Sequence, residues 1–142
     1  MLRVSVFAAA ALLAVAGHVN AGTVYSNGPL NGNANAYIIG GGQSISDSFS
    51  VSSPTNLVGA QVGVWVSPGA APVSLHWSIG TSALGSDVSS GISNLTNTFA
   101  FTNSTHFNVF ESTFPLNGAV APGNTYWLTI SFGSTTTSSV LS

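Results

Sequence analysis

The chain has 142 residues, of which 44% are hydrophobic and only 3% are charged, whereas about a quarter of the residues of an average soluble protein are charged. Arg3 is its single Lys or Arg, so the rest of the chain cannot displace counterions from phosphates, and nucleic-acid binding is excluded. The absence of cysteine excludes disulfides, thiolate chemistry and sulfur-ligated metal sites.

The first 21 residues have the pattern of a secretory signal peptide. Arg3 gives a short positive segment, and residues 4–16 form an apolar run that is shorter than the about 20 residues of a membrane span. Val19 and Ala21 are small residues at the −3 and −1 positions of a cleavage site. We therefore expect a helix here and cleavage after Ala21, with Ala16 as the second choice. No membrane span is expected after cleavage.

Residues 22–142 alternate between apolar and polar residues with a period of two, which predicts β-strands. The apolar positions expected to share a face within each strand are, in chain order, Ile45, Phe49 and Val51; Val58, Ala60, Val62, Val64 and Val66; Val73, Leu75, Trp77 and Ile79; Phe99 and Phe101; and Tyr126, Leu128, Ile130 and Phe132. Gly, Pro and Asn separate these runs. The pattern predicts a single all-β domain, an antiparallel β-sandwich or jelly roll, over residues 22–142.

Three segments depart from this pattern. Residues 80–94 lack strand character, and we expect a loop there. In residues 106–114 the aromatic positions change parity, and a bulge near Val109–Phe110 would return them to one face. Residues 135–142 are strand-like but end without a turn, charge or cap. We therefore expect the domain to be incomplete at its C terminus or to have its edge covered by a partner.

Residues 22–132 resemble exported bacterial proteins that carry a PEP-CTERM sorting tail. The matching stretches are TVYSNGP at 23–29, ISDSF at 45–49, VWV at 64–66, WSIGTS at 77–82 and GNTYWLT at 123–129. The resemblance implies a secreted, Ser/Thr/Gly-rich protein of a Gram-negative bacterium that makes extracellular polysaccharide and biofilm matrix. The Pro-Glu-Pro motif, the transmembrane helix and the basic tail of that family do not occur within residues 1–142.

Residue types that are common in enzyme sites are present, but they do not occur in the motifs or spacings that those sites require. Gly-x-Ser-x-Gly does not occur, and only His76 and His106 remain as histidines after the predicted cleavage. The three acids, Asp47, Asp87 and Glu111, give no preferred carboxylate pair for glycoside hydrolysis. No metal-ligand spacing occurs. We therefore expect neither catalysis nor a metal or cofactor.

Asp47 is notable because its parity matches the apolar positions Ile45 and Phe49. A carboxylate on a core face is costly unless it is hydrogen-bonded. One interpretation is a ligand or metal site. The other, which we favour, is an Asp near the end of a sheet that accepts backbone N–H bonds.

Trp65 and Trp127 lie on the polar faces of their strands, Trp65 beside Gln61, whereas Trp77 belongs to an apolar face. An exposed Trp among hydroxyls and amides suits the apolar face and hydroxyl rim of a sugar. The alternative, which we favour, is that a loop or further strands cover these rings.

The sequence thus favours a non-enzymatic secreted or cell-surface protein with a structural or interaction role in the bacterial extracellular matrix. The alternative is a carbohydrate-binding module that recognises exopolysaccharide through Trp65 and Trp127, with Gln61 and Asp47 as polar contacts. The expected partners are polysaccharide or other surface proteins.

Overall fold

The computed structural model describes residues 4–9, 22–26, 30, 39 and 42–136. These residues form strands and turns, and no helix occurs among them. The strands in chain order are β1 (Val4–Ala9), β2 (Gly22–Ser26), β3 (Ser44–Phe49), β4 (Thr55–Val66), β5 (Pro72–Gly80), β6 (Ser89–Asn94), β7 (Thr96–Thr102), β8 (Asn108–Val120) and β9 (Tyr126–Thr135).

The strands form two sheets that pack face to face. The first sheet has the order β2-β1-β4-β8-β7, the second has the order β3-β9-β5-β6, and all neighbouring strands are antiparallel. Buried apolar side chains of both sheets form one shared core. The predicted all-β antiparallel sandwich is therefore confirmed.

The core is built from the alternating apolar positions of the long strands. Its largest fully buried side chains are Ile39, Leu57, Leu75, Ile79, Leu128, Ile130, Val62, Val64 and Val66. Burial of one such side chain stabilises the fold by about 1.5–3 kcal/mol. In β9 the predicted face is buried at Tyr126, Leu128 and Ile130, while the side chain of Phe132 lies outside what the structure describes.

Two predicted core positions, Val58 and Val73, face solvent instead. They are 44% and 39% exposed, respectively. The pairing of β4 with β8 shifts register between Leu57 and Gly59, so Leu57 takes the inward position that alternation assigns to Val58. A shift between Pro72 and Ser74 likewise interrupts the alternation of β5 at Val73.

The prediction of a bulge at Val109–Phe110 is wrong. β8 pairs with β4 without interruption there, so Phe110 faces the core with Val64 while Val109 faces outward with Trp65. The irregularity lies in β7, between Phe99 and Phe101, and it places these two rings on opposite faces. The expectation that they share a face is therefore also wrong.

The loop predicted at residues 80–94 is shorter than expected because it ends in the edge strand β6. The inward positions of β6 carry polar or small residues, which gave no apolar alternation. Ser93 accepts a hydrogen bond from Trp77 Nε1 at 2.9 Å and donates one to the carbonyl of Pro115 at 2.6 Å. This pair of bonds lets a polar strand line the core beside Trp77, which is buried as predicted.

The helix expected at the N terminus is wrong for Val4–Ala9, which form β1 between β2 and β4. β-Branched and small residues in this segment suit a sheet with neighbours on both sides. Residues 10–21, with the predicted cleavage site at Ala21, lie outside the described residues, as do residues 137–142. Cleavage after Ala21 and an incomplete C terminus remain predictions.

Candidate functional site

The four predicted site residues do not come together. Trp65 and Gln61 lie on the outer face of the first sheet, because they alternate with the buried valines of β4. Trp127 lies on the outer face of the second sheet. Asp47 pairs with Leu128 on the inner side of that sheet. The predicted set is therefore distributed over three surfaces.

Trp65 covers a small second cluster on the outer face of the first sheet. Its ring stacks on Phe107 at a centroid distance of 6.3 Å and an interplanar angle of 30°. Val109, which pairs with Trp65 across the strands, is fully buried although it faces away from the core. Trp65 is thus partly covered by a loop residue, as the second interpretation of the tryptophans expected.

A tight turn places Phe107 against Trp65. The side-chain oxygen of Asn103 accepts hydrogen bonds from the backbone N–H groups of Thr105 and Phe107 at 3.1 and 2.9 Å, and from the Thr105 hydroxyl at 2.9 Å. His106 completes the turn with a φ of 69°. Asn103 Nδ2 is buried without a partner among the described residues.

Gln61 and Glu111 form a polar contact on the same outer face. Gln61 Nε2 donates to Glu111 Oε2 at 3.4 Å. Gly63, two residues along β4 from Gln61, is the direct cross-strand partner of Glu111. A Cβ on Gly63 would be only 2.5 Å from Leu30 Cδ1. Leu30 therefore covers this part of the face.

Asp47 is hydrogen-bonded to the hydroxyl of Tyr25, whose ring also contacts Phe49 at a centroid distance of 6.4 Å. Burial raises the pKa of Tyr25, and the negative charge and hydrogen bond of Asp47 raise it further. Asp47 is thus hydrogen-bonded, but the donor that the structure shows is the Tyr25 hydroxyl, whereas the favoured interpretation expected backbone N–H groups.

The outer face of the second sheet is rich in hydroxyl groups. It consists of alternate residues of β3, β9, β5 and β6, namely Ser44, Ser46, Ser48, Ser74, Ser78, Ser90, Thr129, Ser131 and Ser134. We call this surface the hydroxyl face. Cross-strand bonds order it, with Ser46 and Thr129 at 3.0 Å and Ser74 and Ser134 at 2.6 Å.

Trp127 lies at one end of the hydroxyl face and is partly exposed. Its cross-strand partners are Ser48 on β3 and Gly80 on β5. Residues 81–88 fold back over this end, since Ser78 donates to the carbonyl of Gly85 at 2.9 Å. Gly80 permits this approach, because a Cβ there would lie 2.5 Å from Gly85 C.

Asp87 lies in this folded-back segment and was not predicted as a site residue. Its carboxylate accepts hydrogen bonds from Thr81 N at 2.9 Å and Thr81 Oγ1 at 2.7 Å, and these bonds lower its pKa below the ordinary 3.8. A Cβ on Gly80 would lie 2.7 Å from Asp87 Oδ1. Gly80 pairs with Trp127, so the carboxylate lies over the residue that neighbours Trp127 on β5, and the two strands are roughly one strand spacing, about 5 Å, apart.

The two histidines in the described ranges occupy separate surfaces. His76 lies within the hydroxyl face, between Ser131 and Ile92 on the neighbouring strands, and His106 is exposed in its turn. In the described ranges, His, Asp and Glu form no group of three that could hold a metal ion.

Comparison with family models, curated proteins and solved structures finds no match to this chain. The described segments also contain no helix with the length and apolar character needed to cross a membrane.

Proposed function

We propose that this protein is a non-enzymatic, exported component of the surface or extracellular matrix of a Gram-negative bacterium, with a structural or interaction role. The observation that carries this proposal is the use of its acidic residues. Asp47 bonds Tyr25, Asp87 bonds Thr81 and Glu111 bonds Gln61, on three different surfaces. Each carboxylate is used to hold a strand or a loop.

The spacing of the potential catalytic groups also supports this proposal. His76 on β5 is the direct cross-strand partner of Ser131 on the neighbouring strand β9. Asp87 lies beside Gly80, four residues further along β5, which corresponds to about 13 Å along the strand. Asp47 faces the opposite side of the sheet. A serine nucleophile, its base and an orienting acid must lie within hydrogen-bond reach of one another.

Export is proposed from the leader-like residues 1–21 and from the resemblance to PEP-CTERM proteins. The test is expression of the whole chain with a C-terminal tag in a Gram-negative host. We expect the tag outside the cytoplasm and an N terminus at Gly22 by mass spectrometry. Leu13→Arg, which interrupts the apolar run, is the matched control and should retain the protein inside. An intact N terminus at Met1 in the cytoplasm would refute the proposal.

A second candidate function is binding of a neutral carbohydrate at the Trp127 end of the hydroxyl face. The specific observation is the position of the partly exposed Trp127 between Ser48 on β3 and Gly80 on β5, with the Asp87 carboxylate over Gly80. An indole stacks on the C–H face of a sugar, while carboxylate and hydroxyl groups form hydrogen bonds with the OH groups of the sugar. No Lys or Arg lies in the described ranges, so a neutral polymer suits this surface better than an anionic one.

The carbohydrate candidate is tested by titrating tryptophan fluorescence with neutral polysaccharides. We expect saturable binding that weakens about tenfold in Trp127→Ala and is unchanged in Trp65→Ala, whose ring lies on the other sheet. Asp87→Asn should also weaken binding. Equal affinity of Trp127→Ala and the unaltered chain would eliminate this candidate without affecting the matrix proposal.

A further inference from the structure

The strand β6 is an edge of the second sheet with an open side. It pairs with β5 along all six residues, Ser89 to Asn94, without a register shift. No described strand pairs with its other side. Alternate backbone N–H and C=O groups of β6 therefore point away from β5, and such groups are a template for another strand.

β6 lacks the features that usually protect an edge. Its sequence, Ser-Ser-Gly-Ile-Ser-Asn, contains no charge and no proline, and its pairing has no bulge. The other described edges differ. β2 pairs with β1 across a register shift between Val6 and Phe7. β3 has the charged Asp47 on its inward side, and β7 is distorted by the register shift between Phe99 and Phe101. Of these four edges, β6 is the one that is both regular and uncharged.

Ile92 marks the open edge with an exposed apolar side chain. It is 65% exposed, the highest value among the large hydrophobic residues described as exposed. It projects from the hydroxyl face at the rim of the sheet, where it pairs with His76 of β5 on one side only. A strand added to β6 would bring a side chain directly against it.

We propose that β6 pairs with β6 of a second copy of this chain, antiparallel and about a two-fold axis. An identical strand matches β6 in length and, being uncharged, introduces no repulsion. Such an isologous pairing closes on itself and gives a dimer rather than a fibre. The pairing extends the second sheet from four strands to eight and makes the hydroxyl faces of the two copies continuous.

The register follows from side-chain parity. Residues directly opposite each other in an antiparallel pair share a face, so the two-fold axis passes through a residue. The greatest overlap of the two strands places it at one of the central residues, Gly91 or Ile92. Gly91 faces Trp77 on the inner side and has no side chain to bury. The axis through Ile92 places the two exposed isoleucines against each other, and we infer this register. The contact area is that of one short strand, so the dimer forms at high protein concentration.

The test uses single-cysteine variants, because the chain has no cysteine of its own. In Ile92→Cys the Cβ atoms of the two cysteines would lie about 4.5–5.5 Å apart, which is close to the Cβ–Cβ distance across a disulfide. Leu84→Cys is the matched control, since Leu84 is 62% exposed but lies in the folded-back segment. Ser90→Cys is a control on the same strand. In this register residue 90 of one copy lies opposite residue 94 of the other, so the two cysteines are four residues apart along the strands.

Under mild oxidation we expect Ile92→Cys to form a covalent dimer at least about tenfold faster than either control. The unaltered chain should show concentration-dependent dimerisation in sedimentation, and Ile92→Lys should be monomeric with an unchanged melting temperature. Equal crosslinking of the three variants, or a monomer at every concentration, would overturn the inference. These measurements use purified protein, so their outcome is independent of the export on which the proposed function rests.

Discussion

Gly91 lies against the ring of Trp77, and a Cβ at this position would be 2.9 Å from Trp77 Cζ2. The ring is buried and held by its bond to Ser93, so it has little room to move. We expect Gly91→Ala to destabilise the fold by about 1–3 kcal/mol in urea unfolding. Gly22→Ala, where the Cβ would meet nothing within 4 Å, should change stability by less than about 0.5 kcal/mol. Equal losses would contradict the packing described.

The lowered pKa of Asp87 predicts a specific pH dependence. An acid whose pKa is lower in the folded state stabilises that state above its unfolded pKa, here 3.8, and the stabilisation is lost as the pH falls through the folded value. Melting temperature measured across the acidic range should therefore fall less steeply in Asp87→Asn than in the unaltered chain. All other residues are identical in the two proteins, so the difference isolates Asp87. Parallel curves would contradict the prediction.

The faces of individual residues were predictable where alternation is unbroken. Trp65, Trp127 and Trp77 lie on the predicted sides of their strands, and Asp47 on the predicted inner side. Their separation was not predictable, because parity assigns a face within a strand but not the sheet to which the strand belongs. Asp87 was missed because its position beside Trp127 depends on the folding back of residues 81–88.

Among the elements, β1 is the strand whose loss by cleavage would leave one edge of β4 without a pairing partner. It bonds β4 along Asn56 to Val62, yet it lies within the segment predicted to be removed by cleavage. We expect the β4 amides that bond β1 to exchange hydrogen at least about tenfold faster in a chain that begins at Gly22 than in the whole chain. The β4 amides that bond β8 are the internal control. Unchanged protection in both sets would show that β1 is not needed to cover this edge.

The existence of the strands was more predictable than their irregularities. Val62, Val64 and Val66 identify β4 without ambiguity. The shift at Leu57–Gly59 has no signal in the sequence, because Leu57 and Val58 are equally suited to the core. β6 was missed because its inward positions are occupied by Ser89, Gly91 and Ser93. The two serine hydroxyls donate hydrogen bonds to carbonyl groups of β8 in the opposite sheet. A strand with polar interior contacts of this kind does not show the alternation of apolar and polar residues in its sequence.

At the scale of the whole molecule, the described residues contain three acids and no Lys or Arg. Screening by salt therefore has few interactions to weaken. We expect the melting temperature to change by less than about 2 °C between about 50 and 500 mM NaCl. Sodium sulfate, which strengthens apolar burial, should raise it and serves as a positive control. A steep dependence on NaCl would mean that ionic contacts stabilise the fold.

The position of β9 in the second sheet bears on the order in which the molecule assembles. Both β3 and β5 pair with β9, and the bond between Ser46 and Thr129 joins residues 83 positions apart. Pairings between such distant segments form late and slowly, on a scale of milliseconds to seconds for sandwiches. During synthesis the second sheet cannot close until residues 126–135 have left the ribosome. The growing polypeptide thus stays open for most of translation, which is the condition that threading through a secretion channel requires.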